Sequence, residues 1–479
     1  MAVNQGGKRP GAGCAYLEPW HLDFEDFLNL RRNTGDDRLR CHDMNTAAWI
    51  PDEFMRRVKG EQDWYFFDPK DTTCKDGKTL HDYFGKEFDT RYSELIKLAE
   101  IGEISNWKKI PAKDLWKKML KVLFETSHPW NTFKDPCNIR YTNQHQGPVK
   151  SSNLCTEITL HTKPSRYNEG EKIEVGETAV CNLGSVNLVN HIREQINSNG
   201  DTTKDINWTT LGSTISTAIR MLDNVIDLNF YPTAESKNSN LQHRPIGLGM
   251  MGLHDVLHIL DIQIDSNEGI DFSDNLFEIY SRHAILASSR LAKERGAYST
   301  FSGSLWDQGI FPIDSHNELM RYKGKETSNA NTTTRESAWQ DCRESVTKYG
   351  MRNSNVMAIA PTATIGYING VEQSIEPNFS TLFVYENKSG NFFITNEHFV
   401  NDMKGLGLWS QDLSLIIKSV DGDLSLLDKE VPENIKQKYK TAFDRDMFKL
   451  IDANAAVSYT HLRAHETDSY LVCRLLLEK

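Results

Sequence analysis

The amino-acid sequence predicts an α/β fold. Long segments with the 3.6-residue apolar period of helices alternate with short apolar runs that end at Gly, Asn or Pro. One segment, SNVMAIAPTATIGYINGV, places an apolar run, a Pro-Thr-Ala-Thr turn and a weakly helical run in succession. A chain that mixes such strand, loop and helix units with long helices is typical of α/β proteins.

Helical patterns dominate the first part of the chain. HLDFEDFLNLRRNTG has amphipathic spacing up to a stop signal at Gly35, and DLWKKMLKVLFETS has the same spacing behind a cap at Asp114. Further along, TTLGSTISTAIRMLDNVIDL returns to a long helical period. We therefore predict amphipathic helices in these three segments.

The region between Pro136 and Val189 consists of shorter apolar runs. ETAVCNLGSVNL predicts a strand and its exit, and KPSRYNEGEKIEVGE, residues 163–177, predicts an exposed charged hairpin or loop. The last stretch, VSYTHLRAHETDSYLVCRLLLEK, does not continue the helical pattern that precedes it. We interpret residues 457–479 as an unrelated, artefactual tail and base the fold prediction on residues 1–456.

Composition limits the class of protein. The 479 residues are 38% hydrophobic and 25% charged, which is enough for a large core. The net charge of −11 is dispersed along the chain and argues against nucleic-acid or membrane-surface partners. No apolar run approaches the roughly 18 to 20 residues of a membrane helix, and the first residues have no apolar signal segment. The eight scattered cysteines fit neither a zinc site nor a disulfide framework, so we expect a cytoplasmic protein.

A glycine pattern raises the possibility of a dinucleotide site. In HRPIGLGMMGLHD, Gly247, Gly249 and Gly252 satisfy G-x-G-x-x-G, and Asp265 or Glu268 lies near the distance of a ribose-binding acid. However, polar SKNSNLQHRP precedes the glycines, where a buried strand would feed such a turn. We therefore expect tight helix packing or a loop here. A strand immediately before Gly247 would favour a nicotinamide dehydrogenase instead.

The segment PTATIG permits two interpretations. Small residues and hydroxyls at a strand-to-helix turn expose backbone N–H groups that hold a phosphate, and Thr362 and Thr364 have hydroxyls to donate. The same threonines are equally suited to capping the helix. The local sequence leaves both interpretations open.

The segment SSNLCTEI is the strongest candidate site. Cys155 lies two residues after Asn153 and two before Glu157, so the three side chains alternate along an extended loop and are able to face one ligand. A lone cysteine is more often a small buried hydrophobe. The functional alternative is a thiol that acts on a substrate, with a carboxylate as general base. Cys181, in AVCNLGSVNL, would then be a second thiol of a different kind.

Eight segments together resemble the catalytic large subunit of class I ribonucleotide reductase. They are KRPGAGCAYLEPWHLD, FLNLRRNTGDD, HDMNTAAWIPDEFMRRV, SHPWNTFKDPCN, SSNLCTEI, VCNLGSVNL, HRPIGLG and MAIAPTATIGYINGVEQSIEP. The resemblance extends from about Ala2 to Ala456, and the motifs occur in the family's order. It implies the reduction of ribonucleoside diphosphates to 2′-deoxyribonucleoside diphosphates for DNA precursor synthesis.

The resemblance also implies roles for individual residues. Cys155 matches the cysteine that becomes a thiyl radical and removes the ribose 3′ hydrogen, Asn153 the substrate-holding amide, and Glu157 the general base. Cys181 matches one member of the cysteine pair that supplies two electrons and closes to a disulfide. The implied substrate-binding residues are Ser152 and the diphosphate cradle Thr362, Ala363, Thr364 and Ile365. NQGGKRPGA resembles the specificity loop that reports on the base of the bound effector and selects the substrate base; it contains Gln5, Lys8 and Arg9, of which Gln5 and Arg9 are the implied base contacts.

The fold implied by the resemblance is an α/β barrel of the ribonucleotide reductase and glycyl radical type. Ten strands form two parallel five-stranded halves, with helices outside and a central finger loop that carries Cys155 into an enclosed pocket. We expect residues 1–456 to form an incomplete copy of this barrel domain. The sequence has no Tyr-Tyr pair for radical relay, and Cys473 does not replace the family's mobile dithiol, so we expect no turnover by this chain alone.

The family's chemistry depends on other molecules. No cofactor is expected to bind this chain directly, because a metal-containing small subunit supplies the radical. Thioredoxin or glutaredoxin is the implied external reductant, nucleoside triphosphates are the implied effectors, and the intact family forms a homodimer. We expect no nucleic-acid or membrane partner.

Three alternatives to a class I large subunit remain. An adenosylcobalamin-dependent class II reductase shares similar segments, but Leu154-Cys155-Thr156 favours class I over the Pro-Cys-Gly more often found in class II. The NLCTEI motif disfavours a class III glycyl-radical enzyme. A non-catalytic paralogue would be expected to lose Cys155 or Glu157, and both are present.

Overall fold

A computed structural model of the chain describes residues 4–5, 9–74, 77–196, 199–324, 332–387 and 390–461. Helices and strands are mixed along these residues, as the sequence predicted. The α-helices are α1 Phe24–Asn29, α2 Asp52–Lys59, α3 Gly85–Glu100, α4 Ala112–Thr126, α5 Lys134–Arg140, α6 Trp208–Leu228, α7 Ala234–His243, α8 Leu253–Ile259, α9 Asn267–Arg295, α10 Pro312–Tyr322, α11 Thr332–Tyr349, α12 Ala363–Asn369, α13 Glu397–Gly405, α14 Gln411–Ser419, α15 Glu433–Lys438 and α16 Met447–His461.

The strands are mostly short. They are β1 Asn4–Gln5, β2 Arg9–Pro10, β3 Cys14–Leu17, β4 Asn45–Ile50, β5 Asp63–Phe67, β6 Trp107–Pro111, β7 Trp130–Phe133, β8 Arg166–Asn168, β9 Glu171–Glu174, β10 Leu183–Asn187, β11 Ile192–Ile196, β12 Thr202–Ile206, β13 Gly247–Met251, β14 Leu382–Asn387 and β15 Gly390–Thr395. Among the described residues they form seven small sheets.

Two of these sheets are parallel. The first has the order β3-β4-β7, with Cys14 opposite Asn45 and Ala47 opposite Trp130. Its central strand, β4, is buried from Thr46 to the end of the strand, as expected for a parallel strand covered on both faces. The second pairs β10 with β13. Closure of these pieces into the expected ten-stranded barrel is not seen among the described residues.

The glycine pattern forms part of the second parallel sheet. Gly247 and Gly249 lie within β13, which is buried along its whole length, and Leu248 also bridges to Met357 on the other side. A Cβ atom on Gly249 would lie 2.5 Å from the carbonyl oxygen of Ala358, so only glycine permits this approach. Our expectation of tight helix packing or a loop was therefore wrong, because the glycines belong to a central strand. Residues 244–246, directly before it, have no regular secondary structure and follow the end of α7 at His243, which removes the dehydrogenase alternative.

The other predicted elements are present with shifted boundaries. Helix α1 ends at Asn29, well before Gly35, and α4 starts after Pro111, with Asp114 in its first turn rather than at its cap. Strands β8 and β9 form the predicted exposed hairpin. The strand predicted before PTATIG is reduced to the single bridge at Met357, and α12 follows it as predicted.

The buried side chains form two large clusters. The first contains residues from Trp20 to Phe133, and the second contains residues from Val186 to Val457. Helix α9, 29 residues long, packs against α6, α11 and α16 within the second cluster. A smaller cluster, which we call the satellite cluster, lies between Phe399 and Tyr439.

The last described helix crosses the boundary that we predicted for the tail. Val457 is buried within the second cluster, and α16 continues to His461. Residues 462–479 lie outside the described residues, so the interpretation of the tail remains a prediction. Among the described residues, no helix combines the length and the apolar composition that spanning a membrane requires.

Candidate active site

The Cys155 loop is a tight turn closed by the side chain of Asn153. The N–H of Thr156 donates to the carbonyl oxygen of Asn153 (3.3 Å), and the N–H of Ile158 donates to the Asn153 Oδ1 (3.1 Å). Thr156 takes a left-handed conformation with φ 69°, which reverses the chain after Cys155. Cys155 therefore lies at the tip of the loop. The Oδ1 of Asn153 is used inside the turn, and its Nδ2 group is the part left for a ligand.

Two hydroxyl groups fix this loop in place. The Tyr16 hydroxyl, on β3, donates to the carbonyl oxygen of Asn153 at 3.0 Å. The Ser152 hydroxyl donates to the carbonyl oxygen of Ile158 at 2.6 Å. Burial raises the pKa of Tyr16, so its hydroxyl remains a donor at physiological pH. The first parallel sheet therefore positions the Cys155 loop through Tyr16.

Glu157 turns inward from the same loop. Its side chain is 6% exposed, and its Oε2 atom has no hydrogen-bond partner among the described residues. A buried carboxylate oxygen without a donor is costly, because its interactions with water are lost and not replaced. This oxygen is therefore available to a donor group on a ligand.

Cys181 lies two residues before β10, close to the Cys155 loop. Its side chain is exposed, yet the surrounding protein raises the pKa of its thiol to about 11. Desolvation is the largest cause, and the nearby Glu157 and Cys155 also raise the pKa. The structure thus brings Cys155, Glu157 and Cys181 within electrostatic range of one another. The Cys181 thiol is neutral at pH 7 and suited to donating a proton.

A crevice connects Glu157 to Cys181. Its lining includes both residues, together with Asn182, Gly247 and Met357. The crevice therefore lies at the start of the second parallel sheet, where β10, β13 and the Met357 segment meet. Cys155 itself is exposed, so the enclosed pocket that we expected around it is not seen among the described residues.

The predicted phosphate cradle follows the Met357 segment. Thr362 is buried, with φ 48°, and its hydroxyl oxygen accepts a hydrogen bond from the Ser374 N–H at 2.8 Å. It occupies the N-cap position of α12, but its side chain makes no capping hydrogen bond. Ala363, Thr364 and Ile365 are exposed. The cradle is therefore accessible to a ligand, and Thr362 has a structural contact that the sequence did not indicate.

The predicted specificity loop is only partly described. Gln5 on β1 pairs with Arg9 on β2 in an antiparallel arrangement of the backbone. Lys8 lies outside the described residues. The contacts that we predicted for these three residues remain predictions.

Sequence reasoning missed two residues beside the site. Tyr16 and Asn182 both lie inside motifs that we had singled out, but nothing in their spacing indicates which side chain they contact. The Asn182 Nδ2 donates to the Asn240 Oδ1 and to the Pro245 carbonyl oxygen, both at 2.9 Å.

Among the described residues, no group of three or more His, Cys, Asp or Glu side chains is arranged to bind a metal ion.

Comparison with known proteins gives a consistent family match. Residues 1–460 match the family model described as ribonucleotide reductase, barrel domain. The ribonucleoside-diphosphate reductase subunit alpha of Chlamydia muridarum is 50% identical over 444 residues, which cover 93% of this chain and 40% of that protein. The subunit alpha of Helicobacter pylori strain J99 is 39% identical over 436 residues, which cover 81% and 52% of the two chains. The large subunit of Arabidopsis thaliana is 33% identical over 461 residues, which cover 94% and 52%. The chain thus spans about half the length, or less, of these relatives.

Proposed function

Because the chain belongs to the ribonucleotide reductase barrel-domain family, we propose that it forms part of a catalytic subunit that reduces ribonucleoside diphosphates to 2′-deoxyribonucleoside diphosphates. One observation carries the proposal: Glu157 and Cys181 line one crevice, and Cys155 and Glu157 both lie within electrostatic range of the Cys181 thiol. A radical-forming thiol, one thiol of a reducing pair and a carboxylate are among the groups that the reaction requires.

The reaction begins at Cys155. The thiyl radical of this residue takes the hydrogen atom from C3′ of the ribose, so that a C–H bond breaks and an S–H bond forms. A metal-containing small subunit supplies the oxidising equivalent that makes the radical. The name "subunit alpha" of the relatives supports such a partner and favours class I over the cobalamin-dependent class II alternative.

Glu157 and Cys181 then remove the 2′ hydroxyl as water. Glu157 takes the proton of the 3′ hydroxyl, and the neutral Cys181 thiol gives a proton to the 2′ oxygen. Two thiols, of which Cys181 is one, provide two electrons and close to a disulfide. The C2′–O bond is replaced by a C–H bond, and Cys155 returns its hydrogen atom to C3′. The raised pKa of Cys181 supports its role as the proton donor.

The remaining roles concern binding. The Asn153 Nδ2 group and Ser152 contact the sugar, and the turn at residues 362–365, exposed from Ala363 onward, holds the diphosphate. Gln5 and Arg9 contact the base from the loop that reports on the bound effector and selects the substrate base, and Lys8 belongs to the same loop. The parallel pieces β3-β4-β7 and β10-β13 belong to a ten-stranded barrel, and nucleoside triphosphate effectors, a reductant such as thioredoxin or glutaredoxin, and a second copy of the subunit complete the assembly.

Ligand protection of the two thiols tests this proposal without requiring turnover. We expect a saturating ribonucleoside diphosphate to slow the alkylation of Cys155 and Cys181 by iodoacetamide at least fivefold, measured by mass spectrometry of the peptides. Exposed Cys41, which lies outside the site, is the control in the same sample and should react at an unchanged rate. Equal alkylation of Cys155 and Cys181 with and without the nucleotide would refute the proposal.

A further inference from the structure

The segment that carries Cys181 has no regular secondary structure of its own. Its backbone pairs at one end, where Glu177 and Lys163 exchange hydrogen bonds of 2.7 and 3.0 Å. It pairs again at the other end, where the Gly247 N–H donates to the Asn182 carbonyl oxygen at 2.9 Å. Between Thr178 and Asn182, the backbone forms no hydrogen bond with the described residues. Neither a helix nor a sheet ladder therefore fixes the position of Cys181.

A buried hydrogen-bonded pair of side chains anchors the first end of the segment to α7. The Glu177 Oε2 lies 2.7 Å from the Nε2 of His243, the last residue of α7, and both side chains are less than 9% exposed. The other ring nitrogen of His243 lies 2.6 Å from the Thr300 hydroxyl, which fixes the orientation of the ring. Breaking this contact would leave a buried carboxylate without its main partner.

A buried amide pair anchors the second end to the same helix. The Asn182 Nδ2 donates to the Asn240 Oδ1, and the Asn240 Nδ2 donates to the Tyr231 hydroxyl at 2.6 Å. Both asparagine side chains are at most 5% exposed. Because Asn182 also donates to the Pro245 carbonyl oxygen, its amide has one allowed orientation.

Two further contacts continue this pattern along α7. The Glu235 carbonyl oxygen accepts from the Thr178 N–H at 3.2 Å. The Asn238 Nδ2 donates to the Gly176 carbonyl oxygen at 3.0 Å. One helix therefore contacts the segment before, at and after its first end, and again at its second end.

We infer that α7 is the positioning element for the Cys181 thiol, and that His243 and Asn240 set its approach to Cys155. The functional meaning of that approach rests on the proposed function. The two anchors, Glu177 and Asn182, bracket the cysteine and leave only four residues between them, so the chain has little freedom to move the sulfur once both ends are fixed. Contacts with a rigid helix position a functional group more accurately than an unsupported loop does, which suits a thiol that must reach the 2′ oxygen of the sugar.

The carboxylate of Glu177 also acts on the base of the Cys155 loop. It lies close enough to His161 to raise that residue's pKa, although burial lowers the pKa overall. The His161 N–H in turn donates to the Tyr141 hydroxyl at 3.3 Å. The Glu177 carboxylate therefore acts electrostatically on His161, three residues after Ile158, as well as anchoring the Cys181 segment to α7.

Cross-linking of the two thiols in the intact chain tests the inference. Dibromobimane joins two neighbouring thiolates by forming two C–S bonds and releasing two bromide ions, without an oxidant. We expect a Cys155–Cys181 cross-link in the unmodified protein and none in Cys155→Ser. His243→Phe should slow the cross-link at least fivefold, whereas His243→Gln, which retains a donor for Glu177, should restore the rate to within twofold. Lys237→Ala, an exposed position on α7, is the matched control and should cross-link at the normal rate.

Single-site alkylation separates positioning from loss of folding. If His243→Phe acts on position alone, iodoacetamide should modify Cys181 at an unchanged rate, and buried Cys342 should stay unmodified. If His243→Phe does not fold, Asn238→Ala replaces it, with an expected two- to threefold slower cross-link. A folded variant that cross-links at the normal rate overturns the inference. Nucleotide protection of the thiols is measured separately, so failure of the proposed function is seen as a different result.

Discussion

The protonation of Cys181 is set by its surroundings rather than by its exposure. With the pKa of its thiol raised to about 11, only about 0.1% is thiolate at pH 8. Since the thiolate is the nucleophile, we expect alkylation of Cys181 to accelerate about tenfold per pH unit from pH 7 until it levels off near pH 11. Iodoacetamide kinetics followed by peptide mass spectrometry measures this profile. A plateau already at pH 9 would contradict it.

The Cys155 loop shows what residue spacing predicts and what it does not. Alternate spacing predicted that the side chains of Asn153, Cys155 and Glu157 face one ligand, which stays a prediction, because Cys155 is exposed whereas Glu157 turns inward. The role that the resemblance implied for Cys181 also stays a prediction, and its thiol lies within electrostatic range of Cys155 and Glu157. Spacing did not indicate that the Asn153 Oδ1 would close the turn, because that bond depends on where the chain returns at Ile158. Nor did it indicate Tyr16, whose contact with the loop spans 137 positions of sequence.

At the scale of elements, β13 offers a test of strand packing. In Gly249→Ala, the new Cβ would lie 2.5 Å from the Ala358 carbonyl oxygen, so β13 and the Met357 segment would have to separate. We expect the free energy of unfolding to fall by about 1 to 3 kcal/mol, measured by urea denaturation.

Gly405→Ala is the matched control for that substitution. Gly405 is the last residue of α13, and a Cβ atom there meets no atom within 4 Å. Because alanine favours the helix over glycine, we expect this variant to be unchanged or more stable by up to about 1 kcal/mol. If both substitutions had the same effect, the close approach at Gly249 would not be the cause.

The elements differ in how far sequence predicts them. Amphipathic helices such as α4 and α6 were predicted because their periodicity is local. The strand β13 was not predicted, because its glycines carry no apolar pattern. Its two neighbouring strand segments also lie more than 60 and more than 100 residues away in the sequence.

At the scale of the whole molecule, a buried histidine lies between the second cluster and the satellite cluster. Both ring nitrogens of His258, on α8, lack a hydrogen-bond partner among the described residues, and its ring lies 4.7 Å from that of Tyr439. Burial lowers its pKa well below the usual value, and the neighbouring His254, His398, Arg445 and Lys438 add to this shift. The unfolded chain therefore takes up a proton first, and stability falls as the pH drops below about 6.5.

Replacement of His258 by phenylalanine should remove this cost. We expect His258→Phe to raise the free energy of unfolding at pH 7 by about 1 kcal/mol, because two unpartnered buried nitrogens disappear. It should also lose less stability between pH 7 and pH 5, although His254 retains part of the dependence. His398→Phe is the control and should lower the free energy of unfolding, because it removes a hydrogen bond to Asp255. Urea denaturation at the two pH values measures both variants, and an unchanged pH dependence in His258→Phe would contradict the assignment.

The two large clusters differ in how much of the chain must be synthesised before each of them can form. The first draws only on residues 20–133, so it is complete while most of the protein is still to be translated. The second cluster includes Val457 on α16, a helix that packs against α9. This cluster is therefore incomplete until translation has nearly finished. Domains generally fold in order from the N-terminus. We therefore expect that a nascent chain halted near residue 200 already resists protease within the first cluster. A nascent chain halted near residue 440 should still be cut within α9.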